Sequence, residues 1–217
     1  MNIRPPNIPL WLKWGGSLAA FAGALRLNHL LGVYVDRVGA RSPSLPEDIL
    51  LDFLPHWDLR VVFVWGFAAF LAFAIGGGLL FERRRAPYIL WLYAVLILVR
   101  DFFLMLTPMG QPSGALPVEG YTLFDAVGGY LTFKHDLFFS AHTSMPFLGF
   151  LVYERRELRA GMLLFSFVLA AGVLVCRYHY SVDIAAAYFI TYAVVKAHQG
   201  LVEPRWSRWT LARREAI

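Results

Sequence analysis

Long apolar segments, each close to the length that crosses a bilayer, recur along this chain and are separated by short polar stretches. A helix needs about 20 apolar residues to cross the hydrocarbon core, and a backbone inside lipid must satisfy its own hydrogen bonds. The clearest segments run over 61–81, 87–106, 137–153, 161–178 and 181–197. A sixth, near 8–35, contains Lys13, Arg26, Asn28 and His29, which fits either an interfacial helix followed by a span or one tilted span. We therefore expect an all-α polytopic membrane protein, a six-transmembrane-helix bundle that forms one domain over residues 1–217.

The composition supports this class and excludes others. Hydrophobic residues make up 58% and charged residues 16% of the chain, whereas soluble domains carry about 25% charged residues. The net charge of +5 could indicate nucleic acid binding. The basic residues lie between the apolar segments, where membrane topology explains them, so we expect no nucleic acid partner. Cys176 is the one cysteine, which excludes an internal disulfide.

The distribution of arginine predicts the orientation. Arginines cluster at 83–85, at 155–159 and in the basic tail 200–217, whereas the segment 109–136 has Lys134 as its one cation. Because arginine-rich loops stay in the cytoplasm, we expect both termini there and the other three loops outside the cell membrane. The 109–136 segment is long for a connection, which favours a lid or binding loop.

Two polar clusters interrupt the apolar background, over 138–144 and 177–183. The predicted topology places both at the outer face. His179 and Asp183 are four residues apart, so one helical face can hold both. A histidine oriented by a carboxylate can attack phosphorus, and a second histidine, His142, can serve as acid and base. Arginine suits phosphate oxygens, which makes Arg177 a candidate.

Alternatives remain for these residues. Arg100 lies in the outer part of the third predicted span, where it is either a phosphate ligand or an ion-pair partner of Asp101 or another neighbour. A zinc site built from His142, His179 and Asp183 is conceivable, but nearby arginines suit an anion and repel a metal cation. We therefore expect neither a metal nor a cofactor.

These clusters resemble motifs of a known family. Ser140-Ala141-His142-Thr143 and His179-Tyr180-Ser181-Val182-Asp183 are similar to the second and third motifs of the type 2 phosphatidic acid phosphatase superfamily, and most similar to its sphingomyelin synthase branch. Asp136 also matches, and Arg100 with Thr107-Pro108 has the spacing of the first, phosphate-binding motif. Leu45-Pro46-Glu47-Asp48 resembles a short Pro-acidic motif of the branch. The resemblance covers about residues 45–195.

The resemblance implies an activity and roles for the residues. A phospho-headgroup would pass from a phospholipid donor, of the phosphatidylcholine or phosphatidylethanolamine type, to ceramide or another lipid alcohol, with release of diacylglycerol. His179 would be the nucleophile, held by Asp183, and His142 the acid and base. The substrate and its phosphate would be held by Arg100, Arg177, Ser140, Asp136 and Tyr180.

Two other functions remain open at this point. One is hydrolysis by the same residues, either headgroup release as in a phospholipase C or dephosphorylation of a lipid phosphate. The other is a non-enzymatic membrane scaffold or transporter. Thr107 stands where the phosphatases usually carry a second arginine, which favours a phosphodiester donor. The sequence leaves the oligomeric state, a homo-oligomer included, undecided.

Overall fold

A computed structural model describes residues 9–45, 47–117 and 133–201 of the chain, and all regular structure in these residues is helical. A π-helical turn over Val62–Gly66 precedes α3. The α-helices are α1 (Leu10–Gly39), α2 (Ile49–Phe53), α3 (Phe67–Phe81), α4 (Ala86–Leu106), α5 (Ala141–Val152), α6 (Arg156–Val175) and α7 (Ser181–Leu201). The predicted lid or loop over 109–136 falls largely on residues outside this description, as does the basic tail beyond residue 201.

Four of these helices are long and apolar enough to cross a membrane: α1, α3 together with its π-helical turn, α4 and α6. The protein is thus a membrane protein whose described residues are all-helical where they are regular. α5 is apolar but has only 12 residues. α7 has 21 residues, but it carries Asp183, Lys196 and His198.

Three predicted segments differ in extent from the helices. The first is one continuous helix of 30 residues, rather than an interfacial helix followed by a span. The fourth begins at Ala141 rather than 137, because Ser140 occupies the N-cap and Phe139 O accepts a hydrogen bond from the side chain of Arg100. The fifth ends at Val175, before the predicted Tyr178.

The helices pack around α5, which contacts both α6 and α7, while α1 packs along α4. Leu92 of α4, Leu148 of α5, and Met162 and Leu169 of α6 are fully buried in this core. α5 therefore lies at the centre of the bundle although it is the shortest of the long helices.

Glu82 joins two arginine-containing turns at one end of the bundle. Its Oε1 accepts the backbone N–H groups of Glu154 at 2.7 Å and Arg155 at 3.0 Å. Arg85 forms ion pairs with Glu82 and Glu154 at 3.3 and 3.2 Å. The turns 82–85 and 153–156 thus share one end of the bundle. α4 runs from there to the opposite end, where the polar clusters lie.

Candidate active site

The turn at the C-terminus of α6 positions the second polar cluster, residues 177–183, at the site. Tyr178 N donates to Val173 O at 2.8 Å and Arg177 N donates to Leu174 O at 3.0 Å. This is a Schellman motif, which requires a left-handed residue after the helix cap. Arg177 occupies that position with a φ of 61°, although glycine is favoured there. The turn reverses the chain, so that His179 follows directly and α7 begins at Ser181.

His179, two residues before α7, and Asp183, in the first turn of α7, form the predicted pair. His179 Nδ1 lies 3.3 Å from Asp183 Oδ2, and the same oxygen accepts the backbone N–H of Tyr180 at 2.9 Å. The side chain of Asp183 is fully buried and that of His179 is 6% exposed. If the proton is on Nδ1 and points at the carboxylate, Nε2 keeps its lone pair. This Nδ1–H tautomer is the one that a nucleophilic histidine needs.

His142 is held by aromatic rings. Its ring stacks on Phe63 with a centroid distance of 4.3 Å and an interplanar angle of 18°, and it contacts Phe67 at 4.3 Å. Phe63 also contacts the ring of Tyr178 at 4.5 Å. These contacts fix the plane of the His142 ring beside the segment that carries His179. The two phenylalanines lie at the start of the second predicted span, where the sequence offered no sign of a site role.

Arg100 joins α1, α4 and the segment before α5. Its Nη2 forms a short contact with Asp136 Oδ1, and its Nε donates to Phe139 O at 2.8 Å. Nη1 donates to Asn28 Oδ1 of α1 at 3.4 Å. Both side chains of the Arg100–Asp136 ion pair are nearly buried. The ion pair that the sequence offered as one alternative for Arg100 therefore forms, but its partner is Asp136 and not Asp101. Neither carboxylate oxygen of Asp101 has a hydrogen-bond partner in the described part of the chain.

α1 also fixes the segment that carries Asp136. Asp36 Oδ1 accepts the backbone N–H of His135 at 2.7 Å, and its distance to His135 Nδ1 is 3.2 Å. A Cβ atom on Gly39 would lie 2.4 Å from His135 Cβ, and one on Gly32 would lie 2.1 Å from the ring of Phe133. The backbone of α1 therefore approaches this segment more closely than any side chain would allow.

Asp48, in the Pro-acidic motif, links two helix N-termini. Its side chain caps α2 by accepting from Leu51 N at 3.2 Å, and it accepts from Ser181 N at 2.6 Å and Ser181 Oγ at 2.8 Å. Burial alone would raise the pKa of Asp48, but these hydrogen bonds outweigh it, so the pKa lies below the ordinary value of 3.8.

Tyr180 connects the loops around the site. Its hydroxyl donates to Gly110 O at 2.9 Å and accepts from Leu45 N at 3.0 Å. Gly110 N in turn donates to Pro43 O at 3.1 Å. Tyr180 is 2% exposed, so in this structure it holds two loops together behind the site.

An apolar cavity of about 990 Å³ has its polar end at Arg100, His142 and His179 and extends toward the opposite end of the bundle. Along α4 it is lined from Arg100 to Ala86, which is about 21 Å at 1.5 Å per residue. α3 and α1 contribute apolar walls that include Ala74 and Leu18. Leu18 is also 53% exposed at the surface of the bundle. The cavity is therefore deeper than one leaflet of about 15 Å and reaches the lipid-facing surface.

The predicted site residues fall into three groups. Those that line the cavity are Arg100, Asp136, His142 and His179. Ser140, Tyr180 and Asp183 are buried behind them, and Arg177 is partly exposed in the turn before His179. Sequence reasoning missed Asn28, Asp36, Phe63 and Phe67, and only the unusual polar residue Asn28 inside an apolar segment gave a signal. The described residues include no group of three or more His, Cys, Asp or Glu side chains that could hold a metal ion.

Fold and site together define a membrane protein, helical throughout the regular structure of residues 9–45, 47–117 and 133–201, with a buried histidine–aspartate pair at the polar end of an apolar cavity. Residues 135–199 match the family model described as PAP2 superfamily C-terminal, where PAP2 is the type 2 phosphatidic acid phosphatase. The match supports this superfamily, whose members are phosphatases and phosphotransferases, and it contains both histidines and Asp183. No curated protein matches the chain significantly.

Proposed function

We propose that the protein is a lipid phosphotransferase of the sphingomyelin synthase type, which moves a phospho-headgroup from a phospholipid to a lipid alcohol. The observation that carries this proposal is the His179–Asp183 pair, with a 3.3 Å contact, at the polar end of an apolar cavity. Such a cavity suits the tails of a membrane lipid, because apolar tails gain by leaving water and headgroups remain at the polar end. The donor phosphate would then meet His179.

In the first step, His179 Nε2 attacks the phosphorus of the donor. A nitrogen–phosphorus bond forms as the bond from phosphorus to the glycerol oxygen breaks. His142 gives its proton to that oxygen, and diacylglycerol leaves. Asp183 accepts a hydrogen bond from Nδ1–H of His179 throughout and stabilises the positive charge that develops on the ring.

In the second step, His142, now a base, takes the proton from the hydroxyl group of the acceptor. The acceptor oxygen attacks phosphorus, the nitrogen–phosphorus bond breaks, and His179 is regenerated. We propose that Arg100, held by Asp136 in the cavity lining, and Arg177, in the turn before His179, compensate the charge on the phosphate oxygens through their N–H groups. Tyr180 and Ser140 are buried behind the cavity lining, and we propose that they support the substrate-binding residues from there.

Hydrolysis is the second candidate, because Lys134 at the polar end of the cavity is exposed and water can reach this end. The acceptor in the second step would then be water and the products diacylglycerol and a soluble phosphoester. A lipid phosphate would serve as donor in a phosphatase. Product analysis with and without ceramide separates these outcomes.

The decisive experiment uses purified protein in detergent, phospholipids labelled in the headgroup phosphate, and a chelator of divalent metals. We expect diacylglycerol and an acid-labile labelled phosphoprotein, neither of which forms with His179→Ala. Asp183→Asn should lower kcat by about 10⁴-fold, as expected when the orienting carboxylate is lost. His56→Ala, at an exposed position outside the site, serves as the matched control.

Two outcomes would contradict the proposal in different ways. Full activity of His179→Ala would exclude His179 as the nucleophile. A wild-type protein that converts no phospholipid, with or without ceramide, would exclude the function itself.

We also propose that α5 and α7 complete six crossings, with both termini in the cytoplasm and the site on the extracytoplasmic side. The arginine-containing turns share the end of the bundle opposite to the site, which agrees with the positive-inside rule. Ser113 and Arg84 are exposed at opposite ends. In whole cells, an impermeant thiol reagent should label Ser113→Cys but not Arg84→Cys. The reverse pattern would overturn the orientation.

A further inference from the structure

The segment between α1 and the π-helical turn carries a patch of exposed apolar side chains. α2 lies in this segment, and its one buried residue is Leu51, which is 2% exposed. Ile49 and Phe53, four residues apart, share another face of the helix and are 73% and 84% exposed. Trp57 follows four residues later and is 63% exposed. A single exposed apolar residue is normal, but several large ones within 49–57 indicate an interaction surface.

The buried side of α2 fixes its height relative to the membrane. Leu51 belongs to the same core cluster as Phe63 and Val64. Both of these residues lie in the π-helical turn Val62–Gly66, which is the first turn of a helix that is long and apolar enough to cross a membrane. α2 therefore lies beside the end of a span, at the level where hydrocarbon gives way to headgroups.

The exposed side of α2 is continuous with an apolar surface on α7. Ile49 and Phe53 line a groove together with Val182, at the start of α7. Val182 is exposed, and so is Phe189, two turns further along the same face of α7. The patch thus adjoins an apolar strip on the outside of the bundle. A bilayer that covers this strip also meets Ile49 and Phe53.

We infer that α2 is an interfacial anchor, which inserts Ile49 and Phe53 into the headgroup boundary of the leaflet at the polar end of the bundle. Its partner is the lipid surface and not a second protein. Glu47 and Asp52 are exposed beside the patch, so charge gives no attraction to anionic lipids and the apolar side chains supply the binding. Trp57 suits the same depth, because tryptophan favours the membrane–water interface.

Asp48 connects the anchor to the candidate site. This residue caps α2, and its carboxylate also accepts hydrogen bonds from the backbone N–H and the hydroxyl of Ser181 at the start of α7. Ser181 lies between His179 and Asp183 in the chain. Insertion of α2 therefore restrains the turn that carries the proposed nucleophile, and this consequence alone rests on the proposed function.

Fluorescence quenching tests the depth of α2. Phe53→Cys and, as control, Ser113→Cys are labelled with an environment-sensitive fluorophore in nanodiscs of phosphatidylcholine, and the wild-type protein, whose Cys176 is buried, gives the blank. Ser113 is exposed at the same end of the bundle. We expect spin-labelled lipid to quench the probe at position 53 strongly and iodide to quench it little, with the reverse at position 113. The lipid quenching should not change between about 0.1 and about 1 M salt, because it depends on no charge attraction.

Two results would overturn the anchor. Iodide quenching at position 53 that equals the quenching at position 113 would mean that the patch faces water. Protection of position 53 from both quenchers would mean that another protein surface, such as a second copy of this chain, covers the patch.

Hydrogen exchange tests the connection to the candidate site. In the same nanodiscs, Phe53→Gln should speed the exchange of backbone amides in residues 177–183 by up to about tenfold, the effect of losing about half of the transfer free energy of a buried phenylalanine. Leu80→Gln is the matched control, because Leu80 is nearly as exposed as Phe53 but lies at the opposite end of the bundle. Unchanged exchange in Phe53→Gln would overturn the connection. Neither readout uses turnover, so inactivity of the wild-type protein would overturn the proposed function but not the anchor.

Discussion

The backbone N–H of Ser140 donates to the backbone carbonyl of Asp183 at 3.4 Å. This contact ties the N-cap of α5 to the first turn of α7, and it joins the two polar clusters of the sequence. His142 is thereby held on α5, and His179 in the turn directly before α7, with the two helices packed together. A site that is anchored to packed helices in this way is positioned more firmly than one built on loops alone.

The Arg100–Asp136 ion pair gives a prediction about stability. Arg100→Ala and Asp136→Ala should each lower the free energy of unfolding by about 3–5 kcal/mol, because each leaves a buried partner charge uncompensated. The double variant Arg100→Leu/Asp136→Leu should lose less than the sum of the two. Denaturant unfolding in detergent would measure this, with the exposed Arg83→Gln as control. Additive losses would contradict a coupled pair.

Asp48 gives a prediction about pH. Asp48→Ala should lower stability by about 1–2 kcal/mol at pH 7, because the caps of α2 and α7 are lost. The pKa of Asp48 in the folded protein lies below 3.8, so its charge-dependent contribution is present above that pH and is lost as pH falls through the folded pKa. The difference in melting temperature between Asp48→Ala and the wild-type protein should therefore shrink below about pH 3.8. Asp52→Ala, exposed on the same helix, should show no such change, and a gap that grows on acidification would refute this assignment.

Substitution of Tyr180 tests whether this residue has a structural role or a role in substrate binding. Tyr180→Phe removes the partner of both Leu45 N and Gly110 O, so we expect a loss of about 1–3 kcal/mol in stability. kcat should stay within a few-fold of the wild-type value when it is measured well below the melting temperature. The exposed Tyr192→Phe is the control. A large fall in kcat with unchanged stability would instead indicate contact with the substrate.

Ala74 tests whether lipid tails occupy the cavity. It lines the cavity and is 7% exposed, whereas Ala72, two residues earlier on α3, is exposed and does not line it. Ala74→Phe should lower kcat/KM for a long-chain donor by at least about tenfold, because the added ring competes for the same space. A short-chain donor and the Ala72→Phe variant should be affected little. Equal losses for both chain lengths would point to disturbed folding rather than a tail site.

Several features of the protein were predictable because they depend on local sequence. The apolar lengths predicted helices at 61–81 and 87–106, and the structure has a helical span at each. The number of crossings was harder to predict, since the segments around α5 and α7 mix apolar residues with the polar groups of the site. Helix ends were least predictable. The end of α6 depends on Arg177 adopting a left-handed conformation, which the sequence does not indicate.

The sequence by itself indicated that His179 and Asp183 meet, because they are only four residues apart, although His179 lies in the turn before α7 and not on the helix. It could not determine the partner of Arg100. Adjacent helical residues point in different directions, so Asp101 does not meet that guanidinium group, and its partner Asp136 comes from a distant segment. Only the tertiary structure brought α1 against that segment through Gly32 and Gly39 and placed Phe63 and Phe67 around His142. Spacing along the chain determines which neighbouring residues can meet. Contacts between helices depend instead on tertiary packing, which that spacing does not specify.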